Sequence, residues 1–98
     1  MPVVIICKPE DFEKTMKGLK EEGAEFVTVS ACKCDNNAIC LVYFFQKSGK
    51  IMSIEVEIKD MTIPSLYSIF QKSDFIEREI NKIFGIKFVG HPNLERME

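Results

Sequence analysis

The sequence predicts an α+β domain in which helices cover one face of a mainly antiparallel sheet of three to four strands. Three observations support this fold class: an apolar strand-like segment precedes an amphipathic segment, three strand-like segments then follow one another, and the last third has helical periodicity. The predicted order is β-α-β-β-β-α-α. With 98 residues the chain has room for one hydrophobic core, so we predict a single domain over residues 1–98.

The N-terminal segment combines a predicted strand with a predicted helix. Residues 3–7 read VVIIC, which is short, apolar and rich in β-branched residues, as strands are. In the next segment Phe12, Met16 and Leu19 recur at helical spacing. Acidic residues open this segment and Gly23 follows it, so we predict a helix of about three turns.

Three strand-like segments follow, and their patterns differ. FVTVSA (26–31) and MSIEVEIK (52–59) alternate apolar and polar residues, as strands with one buried face do. Residues 38–45 read AICLVYFF and are apolar on both faces, which indicates a central strand. The intervening KSGK (47–50) suits a hairpin connection.

The last third of the chain is predicted to contain two helices. Pro64 suits the first turn of a short helix in SLYSIF. Asp74 and Glu77 have the spacing of a capping box at the start of the second helix, and Gly85 follows its end. An apolar stripe at helical spacing defines the buried side of this second helix. The stripe consists of Ile76, Ile80, Ile83 and Phe84.

Composition and charge argue against several classes of protein. The formal net charge is -2, with basic and acidic residues mixed along the chain, whereas nucleic-acid binding usually requires a clustered basic face. No apolar run approaches the roughly 20 residues that span a bilayer, and no N-terminal secretory signal is evident. We therefore expect a cytoplasmic protein that binds no nucleic acid and does not itself cross the membrane.

The cysteines raise the possibility of a small redox or metal-binding protein. The four are Cys7, Cys32, Cys34 and Cys40. In a strand Cys32 and Cys34 share a face, and Cys40 could join them from a neighbouring strand. The C-x-C-x5-C spacing, however, matches neither the paired cysteines of zinc sites nor the usual iron–sulfur spacings. We therefore expect reduced thiols that act as small apolar groups, with redox or metal binding as the alternative.

Catalytic machinery is not apparent in the sequence. No glycine-rich phosphate loop occurs, and the single histidine, His91, lies between Gly90 and Pro92 with no identifiable catalytic partner. Pro92 favours extended backbone at His91, so we expect a rigid loop that presents the imidazole outward for hydrogen bonding. A free-standing enzyme is therefore the least favoured class.

The side of the second helix opposite its apolar stripe allows two interpretations. Arg78 lies almost opposite the stripe, Phe75 projects toward the same side, and Glu77 and Glu79 flank the stripe. One interpretation is an ordinary solvated face with one stray aromatic residue. The other is a docking interface, because arginine beside an exposed aromatic residue often anchors a partner protein.

A long ordered motif occupies residues 63–96, which read IPSLYSIFQKSDFIEREINKIFGIKFVGHPNLER. It contains P-S, an apolar helix, E-R-E, F-G-I-x-F-x-G-H-P and L-x-R in that order. On these residues the chain resembles the 30 kDa subunit family of respiratory complex I, which also supplies small subunits to energy-converting, membrane-associated nickel-iron hydrogenases. The matching positions are Pro64, Ser65, Glu77, Arg78, Glu79, Phe84, Gly85, Ile86, Phe88, Gly90, His91, Pro92, Leu94 and Arg96.

The chain also departs from the family pattern. Lys82 stands where the family usually has an acidic residue, Asn93 where it has aspartate, and Glu95 where it has a second arginine. Phe75 and Ile76 stand where a Trp-Tyr pair often occurs. The usual C-terminal extension is absent, so the chain resembles the short hydrogenase-complex version more than a full respiratory subunit.

The resemblance implies a non-catalytic structural subunit without a cofactor of its own. It places a nickel-iron centre, iron–sulfur clusters or flavin only in partner subunits. The expected partners are the large hydrogenase-like or 49 kDa-type subunit, a neighbouring iron–sulfur subunit and, for the isolated chain, a second copy of itself. The complex would hold the chain at the inner face of the cell membrane. The implied docking residues are Phe75, Glu77, Arg78, Glu79, Gly90, His91, Pro92 and Arg96.

Overall fold

A four-stranded sheet and two helices form the body of the protein. The structure is a computed structural model, and it describes residues 3–34 and 38–91. The sheet has the spatial order β1-β4-β3-β2 and consists of β1 (Val3–Cys7), β2 (Glu25–Lys33), β3 (Ile39–Lys47) and β4 (Lys50–Ile58). The helices are α1 (Phe12–Glu21) and α2 (Asp74–Phe84). No helix in the described part of the chain has the length and apolar character needed to cross a bilayer. The predicted α+β fold class is confirmed.

The main sheet is mixed, with one parallel and two antiparallel strand pairs. β3 pairs antiparallel with both β2 and β4, and β1 pairs parallel with β4. The turn between β3 and β4 is tight, because Ser48 and Gly49 have positive φ angles of 52° and 76°, which suits a two-residue hairpin turn. The predicted central strand over 38–45 and the predicted hairpin at 47–50 are both confirmed.

The hydrophobic core lies against one face of the main sheet. Alternate residues of β3 and β4 point to this face and are buried, as the two-residue period of a strand requires. Helix α1 packs its apolar side onto them, with the Phe12 ring 5.1 Å from the Tyr43 ring. The fully buried core side chains include Phe12, Met16, Leu41, Tyr43, Phe45, Ile54, Val56, Leu66, Ile86 and Phe88. Each such burial is worth roughly 1.5–3 kcal/mol, so this face supplies most of the stabilisation.

A second, two-stranded parallel sheet joins the segments before and after α2. It pairs β5 (Thr62–Pro64) with β6 (Lys87–Val89). The predicted short helix over SLYSIF is therefore wrong. The Ser65 N–H donates to the Val89 carbonyl at 2.8 Å, and the Leu66 carbonyl then accepts two backbone hydrogen bonds that close a turn. Long-range backbone pairing outweighs the local helical pattern here.

Helix α2 begins and faces the core differently from the prediction. Ser73 precedes its first residue and makes no side-chain capping bond, so the predicted capping box of Asp74 and Glu77 is wrong. The Glu77 side chain is instead fully buried, whereas Ile83 is 71% exposed. Glu77 thus takes the place that the predicted apolar stripe gave to Ile83. Gly85 ends the helix as predicted, in the left-handed conformation at φ 76°.

Candidate docking site

The carboxyl group of Glu77 is the buried polar centre beneath α2. The Ser65 hydroxyl donates a hydrogen bond of 2.6 Å to Oε1, and the Leu66 backbone N–H donates one of 2.8 Å to Oε2. Burial raises the pKa of Glu77 to about 7, against the lowering effect of these two hydrogen bonds, and nearby Asp74 raises it further. This carboxyl group therefore fixes α2 to the turn after β5 and titrates near neutral pH.

Asp74 connects the start of α2 to the end of the described chain. Its Oδ1 lies 2.9 Å from Nε2 of His91 and 3.2 Å from Nε of Arg78. The same Nε2 of His91 lies 3.9 Å from Oε1 of Glu77. We name these four residues the polar cluster: Asp74, Glu77, Arg78 and His91. Because its members come from α2 and from the segment after β6, the cluster ties the two together.

His91 is held inside the domain. Its side chain is fully buried, its ring lies 5.6 Å from the Tyr67 ring, and its backbone N–H donates to the Phe88 carbonyl at 3.2 Å. The expectation that a rigid loop presents this imidazole outward is therefore wrong. Gly90 turns the chain at φ 89°, a conformation that glycine adopts readily, and Asp74 supplies the partner that holds the ring inward.

The Tyr43 hydroxyl is a further titratable group in the core, and the charge of Glu77 acts on it. Tyr43 is fully buried in β3, and burial, followed by the charge of Glu77, raises the pKa of its phenol well above the ordinary value. The phenol therefore stays neutral. The region around Glu77 is thus a low-dielectric environment in which added negative charge is unfavourable.

The solvent side of α2 carries two large apolar side chains. Phe75 is 65% exposed and Ile83 is 71% exposed, while the Arg78 side chain is 41% exposed. At 100° per residue, Glu79 and Lys82 lie on the same side as Phe75. We name Phe75, Arg78, Glu79, Lys82 and Ile83 the outer face. An exposed aromatic residue, an aliphatic residue and an arginine together are typical of protein docking surfaces.

The predicted docking residues divide into separate groups in the structure. Three of them lie on the outer face: Phe75, Arg78 and Glu79. Two are fully buried in the polar cluster, namely Glu77 and His91, and Gly90 is exposed in the turn before His91. Pro92 and Arg96 lie outside the described residues. Sequence reasoning missed the pairing of Ser65 with Glu77, although the motif contains both residues.

The cysteines divide between the two faces of the main sheet. Cys7 is buried and pairs in register with the core residue Val56, so it lies on the core side. Cys34 and Cys40 are joined by a disulfide, with their Cα atoms 5.8 Å apart, and Cys32 is free and exposed. The expectation of reduced thiols is therefore wrong for this pair. The β2–β3 pairing brings both cysteines within the ordinary Cα separation of disulfides.

Comparison with known proteins gives matches that extend over almost the whole chain. The family model described as "Respiratory-chain NADH dehydrogenase, 30 Kd subunit" matches residues 5–98. The NAD(P)H-quinone oxidoreductase subunit J of Prochlorococcus marinus subsp. pastoris is 32% identical over 107 aligned positions. These cover 96% of this chain and 61% of that relative. The chain therefore spans less than two thirds of this relative.

Two further similarities concern a longer relative and a solved structure. The C/D subunit of the NADH-quinone oxidoreductase of Proteus mirabilis is 45% identical over 47 residues, which cover 48% of this chain and 8% of that one. The solved structure described as Nqo5 of a trypsin-resistant fragment has a TM-score of 0.82 and 20% identity, covering 91% of this chain and 80% of that one. At this identity the likeness concerns the fold, and it agrees with the architecture described above.

Proposed function

Because the chain belongs to the family described as respiratory-chain NADH dehydrogenase, 30 Kd subunit, we propose that it is a non-catalytic structural subunit of a membrane-associated redox complex. Relatives named as subunits of NAD(P)H-quinone and NADH-quinone oxidoreductases support this proposal. The polar groups of the site support it too, since they pair with one another inside the domain. Such an arrangement can position a surface for docking.

The outer face of α2 is the docking surface in this proposal. The observation that carries it is the exposure of Phe75 and Ile83 on a helix whose other side is anchored by Glu77. A helix held in this way loses little conformational entropy when it binds a partner, which favours affinity. Arg78 adds a cation at the edge of the apolar residues, where Asp74 orients it. Glu77 and His91 then act indirectly, by fixing the surface from below.

The large 49 kDa-type subunit is the partner that this proposal assigns to the outer face. One relative is named with the joint letters C/D, and the region similar to this chain occupies 8% of its length. A name that joins two subunits in one polypeptide supports a close association between a C-type domain and a D-type domain. We propose a neighbouring iron–sulfur subunit as a second contact of the domain.

The redox cofactors belong to the partner subunits in this proposal. Flavin, iron–sulfur clusters or a nickel-iron centre would lie there, and the chain would sit at the inner face of the cell membrane through the complex. The relatives described above are named for quinone oxidoreductases, which favours that type of complex. Membership of an energy-converting nickel-iron hydrogenase stays a prediction of the sequence motif.

Co-purification tests the docking surface directly. The chain is produced together with a tagged large subunit in cells that make the complex, and the double variant Phe75→Ala/Ile83→Ala is compared with the unchanged chain. Loss of two anchoring side chains at the centre of an interface typically weakens association by about 2 kcal/mol or more, which is roughly thirtyfold. We therefore expect the double variant to be largely lost from the purified complex.

A matched control separates docking from general loss of apolar surface. Ile6 is 78% exposed on β1, which lies at the opposite edge of the main sheet from β2, the strand on which α2 packs. Ile6→Ala should co-purify like the unchanged chain. Equal recovery of the control and the double variant would remove the outer face from the proposal.

A further inference from the structure

Four potential metal ligands meet on the side of the main sheet that faces away from the core. Cys40 of β3 lies opposite Cys32 of β2 and opposite Glu57 of β4 in the two strand registers. Paired residues of neighbouring strands point to the same side of a sheet, so these three side chains share one side. Cys34 follows Cys32 by two positions and contacts Cys40 directly. We name Cys32, Cys34, Cys40 and Glu57 the cysteine corner.

The ligand atoms of three members converge. The sulfurs of Cys34 and Cys40 and one carboxylate oxygen of Glu57 all lie within 4.8 Å of one another. A tetrahedral zinc ion with Zn–S bonds of about 2.3 Å and a Zn–O bond of about 2.0 Å holds its ligand atoms roughly 3.5–4 Å apart. Once the disulfide is reduced, side-chain rotations can therefore bring these three atoms to the required separation.

Cys32 can complete the set of four ligands. Its thiol is exposed and lies 3.8 Å from the Cys40 carbonyl oxygen, across the strand pair. Rotation about the Cα–Cβ bond of an exposed cysteine meets little resistance from its surroundings. Cysteine sulfurs select thiophilic cations, and a carboxylate is an accepted fourth ligand for zinc.

We propose that the reduced cysteine corner binds one Zn²⁺ ion through Cys34, Cys40, Glu57 and Cys32. The site is open to solvent, because Glu57 and Cys32 are exposed, so the ion has an entry path. The ion cross-links β2, β3 and β4 at one end of the sheet. Zinc undergoes no redox change, so its role here is structural and it adds no electron carrier to the subunit.

The disulfide and the zinc site exclude each other, because both use the sulfurs of Cys34 and Cys40. A dithiol reductant transfers two electrons and two protons to the disulfide, which gives two thiols, and the reductant itself becomes a cyclic disulfide. Zn²⁺ then displaces the thiol protons of the three cysteines into solvent. The ion therefore binds only to the reduced chain, and the conversion requires a two-electron reductant such as a dithiol or a phosphine.

The geometry explains why cysteine spacing alone predicts no zinc motif. The oxygen ligand comes from β4, 17 positions after Cys40, and only the strand register places it beside the thiols. The sequence alone groups Cys7 with the other three cysteines. In the structure Cys7 lies on the core side of the sheet, so it is not a ligand of this site. The proposal uses no residue of the outer face, so it stands or falls separately from the docking proposal.

Zinc titration of the full chain tests the site. The protein is reduced with a phosphine, freed of metal, and titrated with Zn²⁺ in competition with a chromophoric chelator. We expect one equivalent to bind, with the release of protons, and Co²⁺ in its place to give the absorption of a tetrahedral thiolate site. Glu57→Gln should weaken binding about tenfold or more, by analogy with losses at metal-site residues, and Cys34→Ser should weaken it further.

Cys7→Ala is the matched control, because it removes a cysteine from the opposite side of the sheet. It should bind Zn²⁺ like the unchanged chain. Circular dichroism of each reduced variant verifies that it is folded, and Glu57→Gln, at an exposed position, keeps the test decisive if a cysteine variant unfolds. The proposal is overturned if the reduced chain binds no Zn²⁺, or if Glu57→Gln binds it as tightly as the unchanged chain.

Discussion

The two sides of helix α2 each depart from the usual distribution of residues at particular positions. The inner side buries the carboxyl group of Glu77 and contacts His91 through Asp74, whereas the outer side exposes the large apolar side chains of Phe75 and Ile83. Glu77 and His91 contact specific polar partners within the described chain, whereas Phe75 and Ile83 are mostly exposed there. The inner side is therefore explained by the stability of the domain, and the outer side is the surface that the docking proposal assigns to a partner protein.

Removal of the Glu77 carboxyl group should give the largest reduction in the free energy of unfolding. It tests whether the inner side of α2 stabilises the domain. Glu77→Ala leaves the Ser65 hydroxyl and the Leu66 N–H buried without their acceptor, and each such loss costs about 1–3 kcal/mol. We expect the free energy of unfolding to fall by about 4 kcal/mol in urea denaturation near pH 5. Glu79→Ala, two residues away on the outer face, is the control and should change it little. Similar losses for both variants would mean that the inner side has no special role.

A change of pH should have the next largest effect on the free energy of unfolding. The pKa of Glu77 is about 7 in the folded chain against an ordinary value of 4.5, so the folded state holds a proton that the unfolded chain releases between these values. Stability is therefore highest below about pH 4.5 with respect to this group, and it falls as pH rises to about 7. Each pH unit corresponds to about 1.4 kcal/mol, which gives a decrease of up to about 3 kcal/mol.

Glu77→Gln isolates the contribution of this group to the pH profile. Asp74, His91 and Tyr43 surround Glu77 and are common to both proteins, so the difference between the two profiles reports Glu77. The unfolding free energy of the variant, measured from about pH 4 to about pH 8, should lack the decrease. Parallel profiles for the two proteins would contradict the assignment.

Replacement of His91 should give a moderate loss of stability. It tests whether this side chain is buried inside the domain or faces the solvent. His91→Ala empties a fully buried site and removes a partner of Asp74, and we expect about 2 kcal/mol of destabilisation. A solvent-facing histidine would give almost none. Thermal unfolding of the isolated chain, with Lys87→Ala at an exposed position of β6 as the control, distinguishes these outcomes.

The outer face should give the smallest effect on the isolated domain. Phe75→Ala removes a side chain that is 65% exposed, and surface substitutions usually change stability by less than about 0.5 kcal/mol. We expect an unfolding free energy almost equal to that of the unchanged chain, although the same substitution contributes to the loss of complex proposed above. A large loss of stability would mean that Phe75 stabilises the isolated domain. The two sides of α2 would then not differ in role.

The strands β3 and β4 could be predicted from the sequence because alternation reports which residues face the core, whereas a register shift between Phe26 and Thr28 leaves Val27 of β2 exposed. The segment 52–59 places Ile54, Val56 and Ile58 on one side, and all three are buried there. The all-apolar 38–45 indicated a central strand, and β3 has neighbours on both edges. These signals are local, so a single sequence is sufficient to interpret them.

The C-terminal third could be predicted only in part, because its structure depends on distant contacts. The pattern of SLYSIF favours a helix locally, but the Ser65 N–H pairs with Val89, which periodicity alone cannot indicate. Helical spacing also assigned Ile83 to the buried side, whereas Glu77 occupies it because Ser65 and Leu66 satisfy its carboxyl group. The family motif contains both Ser65 and Glu77, but it did not reveal that their side chains are hydrogen-bonded to each other.

The parallel pairing of β5 with β6 has a consequence for how this region opens. The pair encloses α2 in a β-α-β unit, in which Thr62 is in register with Lys87 and the Lys87 amide donates to the Met61 carbonyl. Because the two strands flank the helix in sequence and are hydrogen-bonded to each other, we expect helix, turn and second strand to open together as one cooperative unit. A partner bound to the helix should then also slow amide exchange in strands that it does not touch.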